Sequence, residues 1–175
     1  MFKLKIAQMI SYLLSQNDNK MNLLKLMKEL YLADRSSIEE RDTSISGDIF
    51  VSMDHGPVLS MTLNLIRDGA LGEYFEQSDN MYFPDIVLKK SAGDDLLSIK
   101  DKEYLKKISD EFRNSSRWDL ESYTHNLKEW KDPSGSSIKI RFQDIMRALG
   151  RGEEEIAEAK REYEQICNLN KQLGE

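Results

Sequence analysis

Leu23-Leu24-Lys25-Leu26-Met27-Lys28-Glu29-Leu30-Tyr31-Leu32-Ala33-Asp34-Arg35-Ser36-Ser37-Ile38 is the stretch on which the fold turns. Its apolar residues Leu23, Leu24, Leu26, Met27, Leu30, Tyr31 and Ile38 recur at three- and four-residue steps and cover a wide face. The spacing predicts a helix from Met21 to about Glu40, with Asn22 as an alternative cap. Asp34 falls about 20° from Met27 on this helix, near the middle of the apolar face. A carboxylate facing a core is costly unless it finds donors. Asp34 is therefore expected to accept hydrogen bonds from backbone N–H groups of a neighbouring loop, or from His55. The Ser46-Gly47-Asp48 turn and the start of the helix expected at Gly56-Pro57 are the candidate donors. A buried pin that fixes a loop is the simpler reading of Asp34, and a catalytic acid the alternative.

Other elements extend on both sides. Ile6, Met9, Ile10 and Leu13 stripe a helix over Leu4 to Leu14, and Asn17, Asp18 and Asn19 break it. Ile49 to Met53 is β-branched and aromatic and reads as a strand. The next four residues are Asp54-His55-Gly56-Pro57. Proline suits the first position of a helix, so Gly56 is expected to cap a short helix from Val58 to Arg67 that ends near Gly69. Tyr82 to Leu88 reads as a strand, with Pro84 arguing for a sheet edge. Ser98 with Asp101 forms a near capping box at the head of a helix whose buried stripe is Leu105, Ile108 and Phe112. Trp118 to Lys131 is a further expected helix, Ile138 to Phe142 a short strand, and Gln143 to Leu149 a helical turn. Glu153 to Leu173 is the expected last helix, with a heptad-like stripe that would pack on its own domain or on a second copy. The expectation is one α+β domain over residues 4–173, predominantly helical, with five to seven helices around one core and a small antiparallel sheet.

Composition narrows the function classes. The chain has 175 residues, 31 acidic against 25 basic, and a net charge of −6. Residues 1–47, 48–149 and 150–175 sum to +1, −4 and −3, so no block carries the basic stripe that nucleic acid needs, and autonomous nucleic-acid binding is not expected. No apolar run approaches the roughly 18 residues of a membrane span, and a cytoplasmic location is the expectation. Phosphate-cradling and dinucleotide glycine motifs, His-Glu-x-x-His and Gly-x-Ser-x-Gly do not occur. With two histidines and the single Cys167, neither a zinc site nor a disulfide is expected, and no cofactor is implied. Cys167 sits on the apolar stripe of the last helix, where a thiol is packing rather than a nucleophile.

His55 stands where a strand is expected to become a helix, a place that aims side chains into clefts, but no second catalytic group lies near it in sequence. Loop anchoring outweighs catalysis there. His125 shares a helix face with Trp118, Ser122 and Glu129, and Glu121 and Glu129 flank it at four residues, favouring an ionic contact or a hydrogen bond. Trp118 is a binding anchor if that face is exposed. The alternative is a helix buried on both faces.

Together, Leu23-Leu24-Lys25-Leu26, Tyr31-Leu32-Ala33-Asp34-Arg35, Ser46-Gly47-Asp48 and His55-Gly56-Pro57-Val58 resemble the Panacea domain, the family of SocA-type antitoxins of bacteria and phages. The later Leu97-Ser98, Leu120, Thr124-His125, Trp130 and Gly135-Ser136 agree, over about residues 4–160. Asp54 before His-Gly-Pro and Asp101 in the helix start are departures. The resemblance implies an antitoxin that neutralises a cognate toxin by direct protein–protein binding, with no enzyme activity. Alternatives within it are an adaptor that delivers the toxin to the Clp protease, or a phage or mobile-element protein with a target other than a toxin. Tyr31, Asp34, Gly47, Asp48, His55, Gly56, Pro57, Trp118, His125 and Trp130 are carried as fold determinants or partner-binding candidates.

Overall fold

The computed structural model describes residues 1–80 and 82–161. Helix α1 (Phe2–Ser15) is followed by strand β1 (Lys20–Asn22) and the long α2 (Leu23–Arg41). Asn22 caps α2, its side chain accepting from Leu24 N at 3.1 Å. The helix therefore starts two residues after Met21, because Lys20 to Asn22 are drawn into a sheet with β5. Every residue from Leu26 to Ala33 is buried, as is Asp34, and α2 packs against α1 and against three of the helices that follow. It is the central helix, and its polar residues must be satisfied inside the molecule.

Next come β2 (Phe50–Met53), β3 (Gly56–Leu59) and α3 (Ser60–Arg67). Here the expectation of a helix capped by Gly56 is corrected. Gly56 and Pro57 lie in an edge strand that pairs antiparallel with β2, Ser52 opposite Pro57 and Met53 opposite Gly56. An edge strand tolerates the missing proline N–H as well as a helix start does, and the β-branched Val58 continues the strand. Helix α3 begins only at Ser60. Its cap residue Leu59 offers no side-chain acceptor, so Asp48 takes that role from the preceding loop.

Strands β4 (Phe75–Gln77) and β5 (Asp85–Leu88) complete the first sheet, in the order β1-β5-β4. The edge placement expected for Pro84 is thus wrong. Strand β5 is central, and Pro84 precedes it, so no ladder bond is lost; its carbonyl accepts from Leu23 N at 2.8 Å. Helices α4 (Ile99–Glu111) and α5 (Arg117–His125) each open on a reciprocal Ser-Asp capping box, Ser98 with Asp101 and Ser116 with Asp119. Helix α5 stops at His125, six residues short of the expected end at Lys131. Strand β6 (Ile138–Ile140) joins the second sheet in the order β3-β2-β6, and α6 (Phe142–Ala148) follows. Residues 153–161 are helical; the rest of the expected last helix, with Cys167, lies outside the described residues. The fold is α+β and predominantly helical, with two three-stranded antiparallel sheets where one was expected.

The buried apolar side chains make one cluster, running from Ile6, Met9 and Leu13 of α1 through α2 to Leu105 and Ile108 of α4 and Leu120 of α5. No helix among the described residues is long and apolar enough to cross a membrane.

Candidate functional site

The expected site residues fall into two groups. In the first, Asp34 is fully buried and accepts from Ile45 N at 2.8 Å, Ser46 N at 2.9 Å and the Ser46 hydroxyl. Burial still pushes its carboxyl up to about 7, against the pull of those three bonds. Of the donors foreseen for Asp34, the Ser46 loop supplies the bonds and His55 supplies none. Gly47 sits at φ +69° in the same loop, with open space around it. Asp48 accepts from Ile49 N, Met61 N, Thr62 N and the Thr62 hydroxyl, all at 2.6–2.9 Å. These two carboxylates bolt the loop between α2 and β2 to both flanking helices. Neither is aimed at solvent: both are buried.

The second group gathers at the β2–β3 turn. Gly56 takes φ +96°, and a Cβ there would stand 2.7 Å from Thr124 Oγ1 and 2.9 Å from Lys28 Nζ. Only glycine lets α2 and α5 close on the turn this tightly. Beneath it the fully buried Lys28 donates to Pro57 O at 2.9 Å. Loss of water around the ammonium lowers its pKa to about 7, opposed by the charge of Glu121. Above it, His55 Nδ1 meets Glu121 Oε1 at 3.0 Å. The His55 ring stands edge-on to Phe83 at 5.0 Å and 6.4 Å from Trp118, and Phe83 and Trp118 are 6.0 Å apart, also edge-on. The Arg117 guanidinium lies 4.7 Å above Trp118 and 5.6 Å above Phe83.

Beside this aromatic corner is a cavity of about 110 Å³. Leu23, Leu24 and Met27 of α2, Met53 to Gly56 and Val58 of the hairpin, Leu63 and Arg67 of α3, and Tyr82 and Phe83 line it. Trp118 is 48% exposed and Tyr82 77%. Of α5, only Leu120 and Thr124 are buried, so the helix presents an open face, the reading that made Trp118 a binding anchor.

The contact expected between His125 and its flanking acids is not made. Glu121 turns to His55, and Glu129, beyond the end of α5, accepts from Tyr31 OH at 3.0 Å and from Arg35 Nε at 2.6 Å. Burial beside Glu129 raises the Tyr31 pKa well above its ordinary value. The buried Nε2 of His125 has no hydrogen-bond partner among the described residues, and its ring stacks on Trp130 at 4.1 Å. Trp130 in turn donates to Met53 O at 3.2 Å, tying the segment after α5 to the hairpin.

Lys28, Phe83, Arg117 and Arg67 were not foreseen. Lys28 gave no signal like that of Asp34: six residues before Asp34, it falls about 120° from it, outside the apolar face that singled out Asp34. Phe83 carries no such signal, because long-range pairing of β5 with β1 delivers it. Among the described residues no cluster of three or more metal-ligating side chains forms.

Comparison with known proteins gives the class. Residues 26–131 match the family described as antitoxin SocA-like, Panacea domain. The match spans more than half of the chain and holds α2 from Leu26 onward, the loop that joins Asp34 to Asp48, the hairpin and α5. The chain belongs to the SocA-like Panacea domain family. This membership points to a toxin–antitoxin role, a partner that is a toxin, and a non-enzymatic mode of action. No curated protein and no solved structure matches the chain.

Proposed function

We propose that the protein is an antitoxin that neutralises a cognate toxin by direct binding, covering the toxin's working surface. Family membership is the observation that carries this reading. The corner of His55, Phe83 and Trp118 supports it, since exposed aromatic side chains on a rigid frame are the usual anchors of protein interfaces. The net charge of −6 favours rapid encounter with a basic toxin. The protein is taken to act in the cytoplasm, where such a toxin would have its targets.

Growth rescue tests the proposal. The product of the adjacent gene is induced alone and together with this chain. Arrest that is relieved by coexpression, and relieved equally in cells lacking the Clp protease, is the expected result. Failure to rescue an arresting neighbour overturns the proposal, and rescue that needs the protease replaces occlusion with delivery for degradation.

A further inference from the structure

We infer that the cavity beside the β2–β3 turn is where the toxin docks, by inserting one apolar side chain flanked by a carboxylate. This rests on the antitoxin reading and names the contact.

The walls set the first half of the specificity. Leu23, Leu24, Met27, Val58 and Leu63 give an apolar floor, and about 110 Å³ is a volume on the scale of one leucine or aromatic side chain. The floor is fixed, because Leu23, Met27, Val58 and Leu63 belong to the packed core around α2 and Leu24 is buried beside them.

The rim sets the second half. Arg35, Arg41, Arg113, Arg141, Arg147 and Arg151 each lie within 4 Å of a carboxylate. Arg67, Arg117 and Arg161 do not, among the described residues, and the first two stand at this corner. Arg67 is exposed at the cavity mouth and has no hydrogen bond or ion pair there. Arg117 lies over the two rings, with its positive charge felt by Asp85 but no carboxylate in ion-pair contact. The carboxylate of Asp54, the acid on the lining, is turned to Gly135 N at 2.9 Å. Arg67 at the mouth of an apolar hole, with Arg117 over the Phe83 ring of its wall, calls for an acidic residue next to the inserted side chain. Long-range attraction to a basic toxin and this local inversion of sign are compatible, since the rim acts only at contact distance.

Titration of the purified, growth-arresting product of the adjacent gene into this protein tests the inference. Arg67→Glu and Arg117→Glu remove the rim cations without breaking an ion pair, and Met53→Trp narrows the cavity from a half-buried position. Lys3→Glu makes the same charge change on α1, away from the cavity. Each rim variant is expected to weaken the Kd at least tenfold with its melting temperature within a few degrees of the parent, and Lys3→Glu to leave it unchanged. Tight binding by all three corner variants overturns the docking site and leaves the antitoxin reading standing. No binding by the unmodified protein overturns both. Self-association that Arg67→Glu abolishes overturns the toxin as occupant in favour of a second copy of this chain.

Discussion

Gly56 shows how one residue can hold the site together. Its φ of +96° and the 2.7 Å approach of Thr124 Oγ1 leave no place for a methyl group, and the nearby Lys28 is itself held by Pro57 O. Gly56→Ala should destabilise the fold by about 2–4 kcal/mol, combining backbone strain with overpacking. Chemical denaturation reads this directly, and an unchanged midpoint would show that α5 has room to retreat. Glu29 makes a second case. It is fully buried on α2, both of its oxygens lack hydrogen-bond partners among the described residues, and burial raises its pKa from 4.5 to about 7 against the pull of Lys25 and Arg113. The folded state therefore holds a proton between pH 4.5 and 7 that the unfolded chain has released, so stability falls as pH rises through that window. Asp34 adds to the same trend. Lys28, lowered to about 7, reverses it above neutrality, where the unfolded chain keeps the proton up to pH 10.5. Glu29→Gln should then stabilise the protein at pH 8 by on the order of 1–3 kcal/mol and have little effect at pH 4. Melting curves at the two pH values check it; an equal effect at both would mean that Glu29 is ionised throughout.

Elements are joined by buried carboxylates as much as by apolar packing. Asp48 caps α3 from a loop outside it, through Met61 N and Thr62 N, and also accepts from Ile49 N and the Thr62 hydroxyl. Asp48→Ala should cost about 2–4 kcal/mol, the sum of a lost cap and unsatisfied buried donors. It should also open residues 42–49 to protease before global unfolding, whereas resistance equal to the parent's would deny the loop this role. Much at this scale was legible in the sequence. The period of α2 gave away both the helix and the buried acid, and the serine-aspartate pair marked the head of α4. What misled was local chemistry with two physical outcomes. Gly56-Pro57 suits a helix start and an edge strand alike, and the hairpin pairing decided between them. Strands β1 and β4 have three residues each, too few to show a period of two, and exist only through β5. Pro84 was read as an edge marker because the strand was started three residues early. Lys28 escaped the rule that found Asp34, because it lies about 120° away, off the apolar face, and is buried only by the segments packed on that side; the grouping of Phe83 with His55 and Trp118 likewise depends on contacts between remote segments.

At the scale of the whole molecule, a central helix buried on all sides from Leu26 to Asp34 carries polar residues that turn inward, and one aromatic corner beside Arg67 and Arg117 turns outward. In the function proposed above, contact alone silences the toxin. A cell-free reaction with purified components and no protease tests it most directly, measuring the toxin's inhibitory activity as this protein is added. Activity that falls to background near a one-to-one ratio, and returns when Arg67→Glu replaces the parent, is the predicted result. Undiminished toxin activity in the presence of excess folded protein would contradict it.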